Sequence, residues 1–335
     1  MFVPEVYIDA YGGFGARALE RGRPEWAPRD STFIALPKLL GPGIGSVATS
    51  PYLTDTESLD LSSPERAKEF VDYAESARVS VRAPYALIKS RKASGLQSAE
   101  GPIPGLRVDS QTFVTSVLAI GGATEDQVFQ SRLHSKRRKQ VKKGEETGVR
   151  FALTRAENTA EFLGALRQAY EVIARTQRAL GTPVHAFRFF ESIAHHHRSE
   201  VTVINAFVGG ECVATALLLL RGGTLYHPYT GTLEQWLPSY LNCTLYWEMI
   251  RYAIGQGAER FDLGRSFRGS GVHKFKGYWG SEDVPLTYAY AGPVGHQFGG
   301  IAPETPAMQL ATRVWRHLPL SLTKALGPRR IAAVA

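Results

Sequence analysis

The chain has 335 residues, 44% hydrophobic and 21% charged, a balance typical of a folded globular protein with room for two domains. Basic residues exceed acidic ones by 39 to 31, so the formal charge of +8 favours anionic partners. The only cysteines, Cys212 and Cys243, give neither a disulfide framework nor a metal motif. The N-terminus has no signal-peptide pattern, and the longest apolar run, 212–220, is too short to span a bilayer. These features predict a cytoplasmic protein.

The N-terminal portion contains strand-like runs and one well-marked helix start. The run 31–40 (STFIALPKLL) is followed by a segment rich in Gly and Pro and then by a helix. Ser63 is a natural N-cap, because Pro64 then occupies the first helical position. The runs 79–90 (VSVRAPYALIKS) and 112–120 (TFVTSVLAI) are rich in β-branched and aromatic residues, which predicts two strands.

A second helix is predicted from Thr124, where Gln127 completes a capping box, to Gly144 or Gly148. Its stretch 131–143 (SRLHSKRRKQVKK) carries seven cations and no acid. One interpretation is an anion-binding face for tRNA or a lipid-linked substrate, formed by Arg137, Arg138 and Lys139. The other is an ordinary solvated helix face.

The remainder of the chain alternates helices with strands. A strand over 149–154 precedes a helix whose apolar positions recur at helical spacing up to Gly181. Glycine pairs at 209–210 and 222–223 predict hairpin turns that join three strands. A helix over about 240–255, a short strand at 260–265 and a strand at 285–292 follow.

This order of elements predicts an α/β protein of the α+β type, with mixed sheets in place of a doubly wound parallel sheet. We expect an N-terminal domain over 1–150, a C-terminal domain over 151–300 and a helical tail over 301–335. The tail is predicted to be one short amphipathic helix, which either packs on the protein or touches a membrane surface.

The most unusual segment is RFDLGRSFRGSGVHKFKGYWG, residues 260–280. Asp262 ends the predicted strand, where open α/β sheets expose their ligand crevice. Glycines let the backbone approach a ligand, and nearby cations and aromatic rings strengthen contacts with negatively charged oxygen. The segment therefore suits either a developing oxyanion or substrate phosphates, although an ordinary basic loop has a similar composition.

Residues 245–290 resemble the C-terminal signature of FemAB-like proteins, a branch of the GNAT acyltransferase superfamily. The shared phrases include Phe261-Asp262, Gly264-Arg265-Ser266, Phe275-Lys276 and Trp279-Gly280, in the family's order. Segments 135–149 and 180–194 are also similar. Within the family, the chain is most similar to the subset associated with bacterial exopolysaccharide and exosortase loci.

The resemblance implies two GNAT-like domains side by side, the first abbreviated, and transfer of an acyl or aminoacyl group onto an amine without a covalent enzyme intermediate. It assigns catalysis to Lys276, and we expect Asp262 to orient the amine or this lysine. The candidate substrate-binding residues are Arg265, Ser266, Arg268, Gly269, Gly271, Lys274, Phe275, Trp279 and Tyr229.

No tightly bound cofactor is expected, and the acyl donor is either aminoacyl-tRNA or acyl-CoA. The sequence has no convincing Arg/Gln-x-x-Gly-x-Gly/Ala loop, which binds the coenzyme A pyrophosphate in standard GNAT enzymes, and this argues against an acyl-CoA donor. A closely related alternative is an aminoacyl-tRNA-dependent peptidyltransferase acting on a cell-envelope or small-molecule acceptor. An alternative from another class is a non-enzymatic binder of nucleic acid or anionic polymer.

Two further patterns are weak. The consecutive histidines at 195–197 fan out around a helix, so no metal site is predicted. Ser266, His273 and Asp262 have the residue types of a catalytic triad, but no G-x-S-x-G elbow surrounds the serine.

Overall fold

The computed structural model describes residues 2–38, 44–49, 56–97, 103, 105–157, 159–293 and 306–333. The centre of the predicted Gly/Pro-rich segment, residues 41–43, lies outside the described residues. The strands are β1 (Arg17–Leu19), β2 (Phe33–Pro37), β3 (Ile44–Thr49), β4 (Thr56–Asp60), β5 (Ala86–Lys92), β6 (Leu106–Ala119), β7 (Arg150–Arg155), β8 (Val201–Val208), β9 (Glu211–Arg221), β10 (Thr224–Thr232), β11 (Arg260–Phe267) and β12 (Glu282–Ala291). The helices are α1 (Pro4–Tyr11), α2 (Pro64–Ser80), α3 (Glu125–Gln127), α4 (Ser135–Glu145), α5 (Thr159–Leu180), α6 (Phe187–His196), α7 (Leu241–Gly255), α8 (Gly271–Gly277), α9 (Pro306–His317) and α10 (Leu320–Ala332).

One compact unit comprises Met1–Phe113, Pro285–Ala311 and Lys324–Ala335. In it β1, β2 and β3 pair antiparallel in sequence order, β3 and β4 each pair parallel with β5, and β5 pairs antiparallel with β12. Helix α2 begins as predicted, because the Ser63 hydroxyl accepts a hydrogen bond from the Arg66 amide. It packs Phe70 and Tyr73 against Phe33 of β2.

The strand predicted over 79–90 is wrong in its first half. Helix α2 continues to Ser80, since it buries Ala74 and Ala77 along one face, and β5 begins only at Ala86. Between them Arg82 has a φ of 54°, which turns the chain back. The β-branched residues 79 and 81 therefore lie at a helix end, where tertiary packing outweighs their strand preference.

The second unit comprises Val114–Val284 and Thr312–Thr323. Strands β7, β8, β9 and β10 pair antiparallel in sequence order, and β11 pairs parallel with β10. Both predicted glycine pairs are hairpin turns, with φ of 59° and 88° at Gly209–Gly210 and of 55° and 71° at Gly222–Gly223. These parallel and antiparallel pairings confirm the predicted mixed α/β class.

The continuous helix predicted from Thr124 to Gly144 is wrong. After α3 the chain makes a π-helical turn over Val128–Arg132, and Leu133 is extended before α4 begins. The Arg138 guanidinium donates hydrogen bonds to the carbonyls of Gln130 and Leu133, at 2.9 and 2.7 Å. These bonds satisfy acceptors that the break exposes, which no local helix signal encodes.

The C-terminal tail forms two helices, α9 and α10, where one was predicted. They are separated at Leu318–Pro319, because proline has no amide hydrogen with which to continue the first helix. None of the helices in the described ranges is both long and apolar enough to cross a membrane. The compact units describe packing, and the domain boundaries at residues 150 and 300 remain predictions.

Candidate active site

The candidate site lies where two parallel strands stop pairing. The register of β10 with β11 ends at Tyr226 and Asp262, although β10 continues to Thr232 and β11 to Phe267. Next to this point β10 has a bulge between Tyr226 and Tyr229. The bulge contains Pro228, which has no amide hydrogen to donate to a neighbouring strand. The two strands therefore separate beyond Asp262, at their carboxyl ends, where α/β sheets bind ligands.

Lys276 of α8 lies at this opening, with only 4% of its side chain exposed. Its ammonium donates to the carbonyls of Gly264 and Arg265, at 2.7 and 2.9 Å. Successive carbonyls of a regular strand point to opposite sides, and the φ of 79° at Gly264 lets both reach one donor. Two of the three N–H groups are thus used, and the third has no partner among the described residues.

Asp262 and Arg265 set the charge around this lysine. Burial lowers the pKa of Lys276 to about 8; the Asp262 carboxylate opposes the shift and the Arg265 guanidinium adds to it. Asp262 is itself buried, and its Oδ1 accepts hydrogen bonds from the Thr115 hydroxyl and the Gly264 amide, both at 2.6 Å. At neutral pH the lysine is therefore a largely protonated donor beside a fixed carboxylate.

His227 is a functional candidate that the sequence did not reveal. It occupies the β10 bulge, and its ring lies 5.3 Å from that of Phe261 and 5.1 Å from that of Tyr246. Burial, and then the charge of Lys276, lower the pKa of His227 to about 3. The nearby Leu263 backbone opposes this shift, although its geometry falls short of a hydrogen bond. The imidazole is neutral, and neither buried nitrogen makes a hydrogen bond to a described residue. A histidine beside a proline within a strand-like run carries no distinguishing sequence signal.

Two other buried groups near the signature have unmet hydrogen-bonding capacity. The Ser266 hydroxyl and the Trp279 indole N–H lack partners within the described ranges, and their side chains are 5% and 0% exposed. Unsatisfied buried polar atoms are costly and uncommon in folded proteins. His227 and the third N–H of Lys276 likewise have unmet hydrogen-bonding capacity.

The loop between β11 and α8 is held in place by a histidine. The Gly269 amide donates to Nδ1 of His273 at 2.9 Å, so the ring proton lies on Nε2 and is donated to Asp283 at 2.7 Å. Ser270 caps α8 by accepting a hydrogen bond from the His273 amide. His273 contacts neither Ser266 nor Asp262 in these bonds, so the triad drawn from the sequence is not formed.

Arg137 was predicted on an exposed anion-binding face, and this placement is wrong. Its side chain is 2% exposed, and its guanidinium donates to the Phe275 carbonyl at 2.9 Å and to Cys243 Sγ at 2.8 Å. It also lies over the ring of Phe275 at 4.1 Å and that of Trp279 at 4.9 Å. Arg137 thus joins α4 to α8, and Phe275 and Trp279 form part of this packing.

The exposed cations of α4 border an open depression of about 400 Å³, lined by Ser135, Lys136, Lys139, Gln140, Lys143 and Tyr240. Lys136 lies over the ring of Tyr278 at 5.4 Å, and Lys143 over that of Tyr240 at 5.6 Å. Arg138 instead supports the helix break described above. Of the three predicted anion-binding residues, Lys139 alone lines this depression.

The other predicted residues are spread over different environments. Arg265 is half-buried beside Lys276, whereas Arg268, Gly269, Gly271 and Lys274 are exposed. Tyr229 lies beyond the bulge in an aromatic cluster, where its hydroxyl is 2.9 Å from Nε2 of His185. The described residues contain no group of three or more potential metal ligands, and His197 pairs with Glu200 at 2.8 Å.

Comparisons with known proteins bear on the family and the fold. Residues 131–277 match the family model of the acetyltransferase (GNAT) domain. The crystal structure of FemX has a TM-score of 0.60 and 13% identity, over 85% of this chain and 90% of that one. The C-terminal domain of a putative lysylphosphatidylglycerol synthetase from Agrobacterium fabrum has a TM-score of 0.53 and 14% identity, over 78% and 81%. A conserved protein of unknown function from Bacteroides thetaiotaomicron has a TM-score of 0.52 and 9% identity, over 86% and 90%. The comparison with curated proteins finds no match.

The structural likenesses show a shared fold, and the family model covers the elements from α4 to α8 that build the lysine site. The predicted resemblance to FemAB-like GNAT proteins is confirmed, and an enzyme is favoured over a non-enzymatic binder. The protein is an acyltransferase with a GNAT-type domain at residues 131–277, in a chain with the fold of FemX.

Proposed function

We propose that this acyltransferase moves an aminoacyl group from aminoacyl-tRNA onto an amine, with Lys276 stabilising the charge that develops on the carbonyl oxygen. The observation that supports it most is the third N–H of Lys276, which remains available while two backbone carbonyls hold the ammonium in place. A fixed donor in a buried site acts without reorganising during the reaction.

In the proposed reaction the amine attacks the ester carbonyl, and a C–N bond forms as the bond to the ribose oxygen breaks. The carbonyl oxygen is negatively charged in the tetrahedral intermediate, where it accepts a hydrogen bond from the third N–H of Lys276. The proton lost by the amine passes to the leaving oxygen. Asp262 acts as a positioning residue. Its carboxylate accepts a hydrogen bond from the amide of Gly264, whose carbonyl holds Lys276, and its charge favours the protonated lysine.

The proposed donor follows from charge and from one structural neighbour. The depression along α4 is lined by three exposed lysines, and no acidic residue occurs in the stretch 131–143. Several separated cations suit a polyanion such as tRNA better than a single pyrophosphate. One protein with this fold is named as a putative synthetase of lysylphosphatidylglycerol. Acyl-CoA is the competing donor, and the GNAT match favours it.

We further propose that the reaction takes place in the cytoplasm, where both donors are available. Cys212 and Cys243 are free thiols, which suits a reducing compartment. The acceptor is proposed to be a primary amine on a cell-envelope precursor or a small molecule, and no tightly bound cofactor is required by this chemistry.

The test is transfer and stabilisation with each donor separately. Purified protein is mixed with a set of charged tRNAs or with acetyl-CoA, and thermal unfolding and amide formation on an amine panel are measured. We expect charged tRNA to raise the melting temperature and to support transfer that uncharged tRNA does not. Transfer from acetyl-CoA but not from charged tRNA would overturn aminoacyl-tRNA as the donor and leave the acyltransferase activity standing. Transfer at the wild-type rate by Lys276→Met would overturn the proposed role of the lysine.

A further inference from the structure

The two C-terminal helices expose apolar side chains at helical spacing. On α9, Leu310 is 61% exposed and Val314 is 52% exposed. On α10, Leu322 and Leu326 are 40% and 42% exposed. Residues four apart lie on one face of a helix, so each helix carries its own short apolar stripe. Each helix also has a buried residue, Trp315 on α9 and Thr323 on α10, at 6% and 1% exposure.

Each stripe is bordered by exposed basic residues. Arg313 and His317 follow the stripe residues of α9 at a spacing of three, and Arg329 and Arg330 follow Leu326 of α10. The sequence from residue 305 to residue 335 contains five arginines and lysines and no acidic residue. Exposed apolar residues whose charged neighbours are all basic are the pattern of helices that lie in the interface of an anionic bilayer.

We infer that α9 and α10 dock this enzyme on an anionic lipid surface, with their stripes in the acyl-chain boundary and their arginines among the headgroups. The helices have 12 and 13 residues, which suits helices lying in the plane of the interface. The stripe residues are not among those of the lysine site, so the inference does not depend on the donor or the acceptor of the transfer reaction.

The charge pattern favours lipid over a second copy of the chain. A twofold interface through these stripes would bring the same arginines of both copies together, and their borders supply no carboxylate to pair with them. An anionic bilayer supplies both an apolar layer and negative charge. It therefore matches the apolar residues and the basic border at the same time.

The test is co-sedimentation of the full-length protein with vesicles of phosphatidylcholine alone or with added phosphatidylglycerol. We expect binding that depends on phosphatidylglycerol, weakened at least about tenfold in Leu310→Ser/Val314→Ser. The matched control, Val79→Ser/Leu153→Ser, removes a valine and a leucine of 57% and 42% exposure elsewhere and should bind as wild type. Arg313→Gln/Arg329→Gln should lose the preference for phosphatidylglycerol while keeping the melting temperature.

Absence of sedimentation with the anionic vesicles would overturn the inference, as would wild-type binding by the stripe variant. Analytical ultracentrifugation covers the competing occupant. If the wild type were a dimer, the stripe variant were a monomer and neither bound vesicles, the stripes would be assigned to contact with a second copy and the lipid surface would be rejected.

Discussion

Lys276 combines burial, a lowered pKa and an unused N–H group. Removing one preorganised oxyanion donor costs about 100- to 1,000-fold in turnover, so we expect Lys276→Met to lower kcat by a comparable factor with a smaller change in KM. Lys276→Arg should recover only part of the loss, since a planar guanidinium cannot replace a compact ammonium. Steady-state kinetics check this, with Lys68→Met, an exposed lysine in the other unit, as the control.

The pH dependence of the same variants separates charge from shape. Because the pKa of Lys276 is about 8, its protonated form is lost above that pH, and kcat of the wild type should fall there. Lys276→Arg should lose this descending limb, as its guanidinium stays protonated. Between pH 8 and 10.5 the folded lysine is neutral and the unfolded one charged, so wild-type stability should rise relative to Lys276→Met by about 3 kcal/mol. A flat profile for both quantities would contradict the buried ammonium.

His227 offers a test at the same scale in which stability and activity move apart. Its buried ring nitrogens lack hydrogen bonds to the described residues, so His227→Phe removes an unsatisfied group and keeps an aromatic ring. We expect an equal or higher melting temperature together with lower kcat/KM, because substrate loses a polar partner. His195→Phe, at an exposed helix end, is the control. Full activity in His227→Phe would place this ring outside the reaction.

At the level of elements, the position of α8 depends on Arg137 of α4. The guanidinium holds the carbonyl of Phe275, the residue before Lys276, and lies over two aromatic rings. Arg137→Met should reduce the free energy of unfolding by roughly 2 kcal/mol and also lower kcat, because hydrogen bonds to charged groups contribute about 1.5–3 kcal/mol each and desolvation offsets part of that. Urea unfolding and turnover measure both effects, and Lys139→Met on the same helix should leave stability unchanged. A purely kinetic effect would mean that Arg137 contacts substrate instead.

The exposed face of α4 should act on binding alone. Lys136→Ala/Lys139→Ala/Lys143→Ala takes three cations away from the depression and leaves the buried side of the helix intact, so the melting temperature should stay within a degree or two of wild type. If these lysines bind tRNA phosphates, the slope of log affinity against log salt should fall by about 0.7–0.9 for each phosphate that is no longer neutralised. Filter binding at several salt concentrations measures the slope. An unchanged slope would mean that these lysines do not bind phosphate and that this face of α4 is an ordinary solvated helix surface.

At the scale of the whole molecule, signals carried by neighbouring residues predicted the structure well. The glycine pairs at 209–210 and 222–223, the N-cap Ser63 and the long amphipathic α5 are all present as expected. The errors arise where distant residues decide. The break before α4 is supported by the side chain of Arg138, and the late start of the strand predicted at 79–90 follows from packing of α2.

The site shows the same division. The family phrases singled out Lys276 and Asp262 as candidates because both lie within one contiguous segment, and the structure brings the two charges close enough to interact. The sequence could not reveal that Arg137 would meet aromatic rings from a segment 138 residues later, so its charge was expected to be exposed. His227 was not proposed from the sequence, because its position depends on where β10 and β11 stop pairing, which is a property of the assembled sheet.

The kinetic scheme also belongs to this scale, because neither described thiol nor the buried hydroxyl of Ser266 is an activated nucleophile. Burial raises the pKa of Cys212 to about 11 and also raises that of Cys243, against the opposing effect of Arg137. The Ser266 hydroxyl has no base within hydrogen-bonding distance among the described residues. We therefore expect direct transfer through a ternary complex, with intersecting lines in two-substrate kinetics and little loss of activity on thiol alkylation at neutral pH. Parallel lines, together with release of the leaving group before acceptor is added, would instead require an acyl-enzyme and a nucleophile that becomes exposed during turnover.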